Sequence, residues 1–225
     1  MPSRTAAAYR FPKELLLQSY CFAKQRVIAA GYSREIDWQD SLRFHEVSET
    51  DFLRETAWVI LACGMRESVV RARFPAITEA FLFWETARSI VYDLESCTSR
   101  ALHVFAHGGK IRAIGLVAQK VAELGFWTVK GTIALQGLAF LRTLPFIGEI
   151  TQFHLAKNLG LEEVKPDRHL VRFAHAFGYA SPRALCEDIA THTGDRITVV
   201  DLVLWRFATI ETQAVSLLQA ASQPV

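Results

Sequence analysis

Two segments carry residue types that can do chemistry. The first runs from Leu141 through Leu144, Pro145, Phe146, Ile147, Gly148, Glu149, Ile150 and Thr151 to Lys157. It reads as a helix ending near Arg142, a short turn over Pro145–Gly148, and a new helix starting at Glu149. Backbone N–H groups around Ile147, Gly148 and Ile150 then point outward at a helix N-terminus, where they can bind a phosphate without any side chain. Gly148 permits close backbone approach. The second segment is Pro166-Asp167-Arg168-His169-Leu170-Val171-Arg172, whose aspartate stands seventeen residues after Ile150. An aspartate opening a helix either caps it or offers a carboxylate held at the helix end, and both readings stay open.

Other constellations promise less. His103 and His107 share a helical face, but no third metal ligand falls in pattern, so a surface or capping role is the better reading. Gly108-Gly109-Lys110 lacks the remainder of a phosphate loop, which discounts nucleotide hydrolysis and leaves its amides and Lys110 as a weak phosphate contact. Trp58, Phe81, Trp84, Tyr92, Phe126 and Trp127 could supply a base-stacking wall, yet their helical spacing reads as core. Cys21, Cys63, Cys97 and Cys186 contain no CxxC pair, which speaks against zinc or iron–sulfur ligation and fits a reducing cytoplasm.

The elements that must position these groups are helices. With 51% apolar and 21% charged residues, the chain has the composition of a globular protein able to bury a core. Phe11 opens a helix that Gly31 ends; Ser48 and Asp51 form a capping box before the apolar run Phe52–Cys63; Pro75 begins a stretch carrying Phe81, Phe83 and Trp84. Gly108-Gly109 reads as a turn, Ile111–Leu124 as a helix stopped by Gly125, and Thr132–Arg142 as the helix entering the hairpin. Asp167–Phe177, Pro182–His192 and a long closing helix from Asp201 to about Ala221 follow. No alternating strand pattern interrupts them. The expectation is an all-α, two-lobed helical bundle with a cleft between lobes.

Charge is unevenly spread. The net charge is only +2, but Thr98–Gly148 holds six basic residues against Glu123, while Glu35–Glu67 holds eight acids against three arginines. That pattern gives either a positive face for a polyanion or two differently solvated helical surfaces, the latter being the simpler reading. Met1–Arg10 does not resemble an export signal, and the most apolar stretch, Thr132–Leu141, has about half the residues of a membrane span. The expectation is a cytoplasmic monomer with no membrane partner.

Leu144-Pro145-x-Ile147-Gly148-x-x-Thr151 resembles the hairpin of the helix-hairpin-helix DNA glycosylases, and Asp167-x-His169-Leu170-x-Arg172 resembles the element that carries their essential aspartate. The close match covers about thirty-five residues. The resemblance implies one glycosylase domain over 1–225, with a central lobe over about 48–140, a hairpin-plus-aspartate segment over 141–178, and the terminal helices as the other lobe. It implies that Asp167 serves a nucleotide flipped out of double-stranded DNA, stabilising oxocarbenium-like charge at C1′ and activating water. Phe146, Ile147, Gly148, Ile150, Thr151, His169 and Arg172 become DNA contacts, and carbonyls around Phe146 and Gly148 a possible cation site. Met65 or Arg66, near a helix end, becomes a wedge for the gap left by the flipped base.

The departures have consequences. Bifunctional members carry a lysine two residues after the hairpin glycine; Ile150 stands there, so the expectation is base hydrolysis without strand cleavage. Phe146 replaces the first turn glycine, and Cys186 stands alone where some members hold an iron–sulfur cluster, so no cofactor is expected. Three alternatives remain: lyase activity through a displaced lysine, a non-catalytic DNA-binding module, and an all-helical interaction protein with a chance motif. The excised base is open, from repair lesions to the enlarged modified bases of phage genomes, and with it a role in repair or in phage defence.

Overall fold

The computed structural model describes residues 11–221, so Met1–Arg10, read for an export signal, lies outside the described residues. The fold is all-α, and no strand occurs among the described residues. The helices are α1 (Lys13–Ala29), α2 (Ser33–Ser41), α3 (Glu49–Ala62), α4 (Glu67–Ala80), α5 (Ala87–Tyr92), α6 (Leu94–Val104) and α7 (Gly108–Leu124). After them come α8 (Phe126–Gln136), α9 (Leu138–Leu141), α10 (Thr151–Asn158), α11 (Arg168–Ala176), α12 (Pro182–Thr193), α13 (Ile197–Ile210) and α14 (Ala214–Ala221). None is long and apolar enough to cross a membrane.

The chain forms two compact units, one from residues 43–161 and the other from the segments on either side. The segment 141–178, a single piece in the sequence reading, is divided between them. The hairpin belongs to the inner unit and Asp167 to the outer one.

In the inner unit α3 is central, packing on α4, α7 and α10. Its start is the expected capping box: Ser48 Oγ accepts from Asp51 N–H at 3.1 Å, and the Asp51 carboxylate accepts from Ser48 N–H at 3.2 Å. Phe52, Val59, Ile60 and Leu61 fill the core from one side, and Ile77, Phe81 and Trp84 from another. Pro75 does not start a helix but lies inside α4. The missing N–H and the ring normally break a helix there; here Phe74, edge-on to Trp58 and stacked near Trp84, helps hold the segment. Phe81–Trp84 are not part of that helix either. Leu82, Phe83 and Trp84 take three consecutive positive φ values of 55°, 56° and 63°. Such residues cost about 1–2 kcal/mol each, offset by the buried, stacked rings of Phe81 and Trp84 and by the Trp84 Nε1–H bond to Thr78.

Two further sequence expectations change. Gly108 and Gly109 are the first residues of α7 rather than a turn, because His107 caps the helix ahead of them by accepting Lys110 N–H. The stretch Thr132–Arg142 is broken at Gly137, whose φ is 53°. Of the six aromatics read as core, Tyr92 is 95% and Trp127 77% exposed, against that reading.

Glu55 joins α3 to α10, accepting from Asn158 Nδ2 at 2.9 Å and from Arg54 Nε at 3.1 Å. Burial pushes its carboxyl above the usual range, with Arg54 and Asn158 opposing. An acid whose folded pKa is raised has its full stability contribution below the unfolded pKa and loses it as pH rises through the folded value. The melting temperature of Glu55→Gln relative to wild type should therefore become more favourable between about pH 4 and pH 7. A flat difference across that range would contradict the assignment.

In the outer unit α13 is buried almost all round, against α1, α2, α11 and α12. Arg206 is sandwiched between the Tyr32 and Trp205 rings while pairing with Glu35 at 2.6 Å. Tyr20 and Lys24 both donate to Asp195, tying α1 to the α12–α13 junction. The expected long closing helix is two. Glu211 is extended and accepts two bonds from Arg26, and the chain restarts as α14 after Gln213.

Candidate functional site

The hairpin turn joins α9 to α10. Leu144 and Ile147 are buried and anchor it in the inner core, and Arg142 pairs with Glu149 across it at 3.0 Å. Phe146 takes a φ of 64°, so the side chain at the expected glycine position adopts the left-handed backbone a glycine would. Its ring lies against Gly109 at the start of α7 and edge-on to His107, 6.1 Å between centroids, which helps offset the cost of that conformation.

The turn's amides are distributed differently from the sequence expectation. Ile147 N–H is donated to Leu144 O at 3.1 Å, and Gly148 N–H to Thr151 Oγ1 at 2.7 Å, because the turn closes on itself and Thr151 caps it. Neither is available to a phosphate. The N–H groups of Glu149, Ile150 and Thr151 have no hydrogen-bond partner among the described residues. The open amides of the hairpin thus lie in its second half, beside an Ile150 side chain that is 43% exposed. Of the carbonyls considered for a cation, Gly148 O accepts Gln152 N–H at 3.0 Å, while Phe146 O has no partner among the described residues.

Next to the hairpin, in the same unit, stands the end of α3. Cys63, Gly64, Met65 and Arg66 form an exposed turn into α4, with Gly64 at φ 67° and Met65 N–H bonded to Ala62 O. Lys110 lies beneath it. Its side chain does not face outward, as a phosphate contact would need: it is 3% exposed and donates to Leu61 O at 2.7 Å and Cys63 O at 2.5 Å. Burial lowers its pKa.

The basic run Thr98–Gly148 is largely spent inside its own unit. Lys120 bonds Thr143, Lys130 bonds the His45 and Val47 carbonyls, and Arg100 bonds Ala80 O and Ser96. Arg112, over Gly108, has no partner among the described residues. His103 and His107 are occupied by Ser99 O and Lys110 N–H. Among the described residues no group of three or more histidine, cysteine or acidic side chains could hold a metal.

Asp167 caps α11 in the outer unit. Its Oδ1 accepts His169 N–H at 2.9 Å and Leu170 N–H at 3.1 Å. The other carboxylate oxygen, Oδ2, has no partner among the described residues. The residue is placed by a tight turn, Asp167 N–H to Lys165 O at 2.8 Å, and that turn is pinned by Lys165 N–H donating to Asp201 Oδ2 at 2.6 Å. Asp201 is 1% exposed and was read from the sequence only as a helix start. The signal was there: a lone acid in the run Val199–Trp205 must find a partner once buried.

Leu170, Phe173 and Ala174 bury one face of α11, leaving His169 and Arg172 on another. They line a cleft of about 350 Å³ with Phe173, Ala208 and the 211–216 segment. Arg172 has no partner among the described residues, whereas Glu211 on the same cleft is held by Arg26. Burial lowers the pKa of His169, the neighbouring Asp167 opposes that, and Arg168, Arg172 and Lys165 add to it. None of the four cysteines forms a disulfide; Cys97 and Cys186 are buried, Cys21 and Cys63 exposed.

Compared with protein-family models, curated proteins and solved structures, the chain finds no match in any of the three.

Proposed function

We propose that the protein is a helix-hairpin-helix type DNA glycosylase that releases a base by hydrolysis, with Asp167 as its carboxylate. The observation that carries the reading is the open Oδ2 of Asp167: one oxygen caps α11 and the other is left for a ligand. An Oδ2 beside C1′ of a flipped nucleotide stabilises positive charge as the C1′–N bond lengthens, and orients water. The bonding electrons leave with the base, which takes up a proton. Water oxygen bonds C1′ and loses a proton, leaving an abasic sugar with its backbone intact.

The free amides of Glu149, Ile150 and Thr151 support phosphate binding, with Phe146 packing the turn. A monovalent cation held by the Phe146 and Gly148 carbonyls would add positive charge for the same phosphate. His169 and Arg172 on the cleft wall suit a second one. Hydrolysis without strand cleavage is favoured by Ile150 and by the engagement of the inner unit's lysines: Lys110, Lys120 and Lys130 are hydrogen-bonded, and Lys157 is 6% exposed.

A second reading, a non-catalytic DNA-binding module, is favoured by the capping role Asp167 already fills. Duplexes carrying damaged, mismatched or enlarged modified bases, incubated with the protein and split between alkali and buffer, separate the two. The glycosylase reading expects strand breaks only after alkali. No release from any duplex, together with salt-sensitive binding, would favour the module. Binding that ignores salt would contradict phosphate contact in either form.

A further inference from the structure

Lys110 is a buried ammonium without a carboxylate partner among the described residues, a costly arrangement that its hydrogen bonds only partly relieve. A helix C-terminus leaves carbonyls unsatisfied, and a lysine can bond them while complementing the helix dipole. The chain already turns at the end of α3 without it, since Cys63 leaves the helix at ψ 114° and Gly64, at φ 67°, completes a turn closed by Met65 N–H on Ala62 O. Lys110 adds something a stop signal does not. It reaches across from α7 and fixes the height of the turn that follows α3.

That anchor is itself tied to the hairpin. Lys110 follows Gly109, whose surface is covered by the Phe146 ring, and its own N–H is bonded to the His107 ring that Phe146 meets edge-on. The first turn of α7 therefore touches two turns of the inner unit: the hairpin turn through Phe146, and the Cys63–Arg66 turn through the Lys110 ammonium. Met65 and Arg66 are exposed beyond that fixed base, and Arg66 makes no side-chain bond among the described residues.

We propose that Lys110 is a positioning residue that holds the Cys63–Arg66 turn in register with the hairpin, so that Met65 meets the gap in a DNA duplex whose backbone the hairpin has bound. The inference rests on the DNA reading above but not on catalysis. It makes α7 a rigid spacer between a strand-gripping turn and a gap-probing turn, acting through Met65 rather than touching DNA itself.

The chain has two methionines, Met1 and Met65, so carbon-13 methyl labelling reports the probing turn almost alone. The probe is a short duplex with a stable abasic analogue, against the same duplex fully paired. In wild type the Met65 signal should move with the gapped duplex and much less with the paired one. Lys110→Gln should bind the gapped duplex within about threefold of wild-type affinity, since the hairpin's phosphate contacts remain, but lose most of the Met65 response. Lys110→Arg, which keeps donors for both carbonyls, should restore it.

A full Met65 response in Lys110→Gln, or a wild-type Met65 signal that stays still while the duplex binds, overturns the proposal and leaves DNA binding standing. Absence of duplex binding by wild type overturns both. Should Lys110→Gln fail to fold, amide relaxation in the free wild-type protein decides: residues 63–66 must be as rigid as α3, and a mobile turn overturns the positioning role.

Discussion

Replacing Asp167 with asparagine is expected to cut base release by roughly a hundredfold or more while leaving DNA affinity and fold nearly unchanged. Asparagine keeps the Oδ1 acceptor, so the bonds from His169 and Leu170 N–H survive, and asparagine caps helices as well as aspartate does. What is lost is the open, charged oxygen, which becomes a neutral NH2 that donates instead of accepting. Asp167→Ala removes cap and charge together and should in addition cost about 1 kcal/mol of stability. The pair of variants separates capping from chemistry: the cap is read in chemical denaturation, the chemistry in single-turnover base release. Wild-type turnover in Asp167→Asn would reduce Asp167 to a cap and remove the glycosylase reading.

The largest structural effect is expected at Gly160. It ends α10, the second helix of the hairpin, with a φ of 79°, Gly160 N–H bonded to Lys157 O and Leu161 N–H to Ala156 O. A Cβ there would stand 2.9 Å from Phe44 N and 3.0 Å from the Arg43 backbone. Backbone cannot rotate aside as a side chain can. Gly160→Ala should therefore lose roughly 2–4 kcal/mol, the sum of an unfavourable conformation and a clash. Gly194→Ala is the control, since Gly194 ends α12 in the left-handed conformation, φ 77° and ψ −1°, with nothing within 4 Å of an added Cβ; it should lose only about 1–2 kcal/mol. Equal losses in urea would mean that the 43–44 backbone yields.

Features set by local rules were readable in the sequence. The Ser48–Asp51 box, the glycine stops at Gly31 and Gly125, and the cap at Asp167 each depend on neighbours within a few residues. What escaped depends on distant partners. Pro75 reads as a helix start because proline is at home there, yet α4 runs through it amid the packing of Phe74. The break at Glu211 comes with a pairing to Arg26, remote in sequence. At the candidate site, the aspartate and the turn were legible as residue types. Which amides stay open was not, because that is decided by whether Thr151 Oγ1 turns inward to Gly148. Lys110 resembled a surface charge until the end of α3 lay beside it.

The unit that carries Asp167 is assembled from both flanks of residues 43–161, and this sets a schedule for the nascent protein. Leu16, Tyr20, Ala23 and Val27 on α1 pack in a cluster with residues of α11, α12 and α13. At typical rates of synthesis, about ten seconds pass while the intervening residues are made, and during that time this apolar stripe has no permanent partner. The hairpin-bearing unit, continuous in sequence, can close meanwhile. A chain caught before α13 emerges would present the hairpin turn without the Lys165–Asp201 bond that places the Asp167 carboxylate. On the proposed reading, the turn would thus be ready on the ribosome before the carboxylate is placed, and α1 would be the helix most in need of a chaperone.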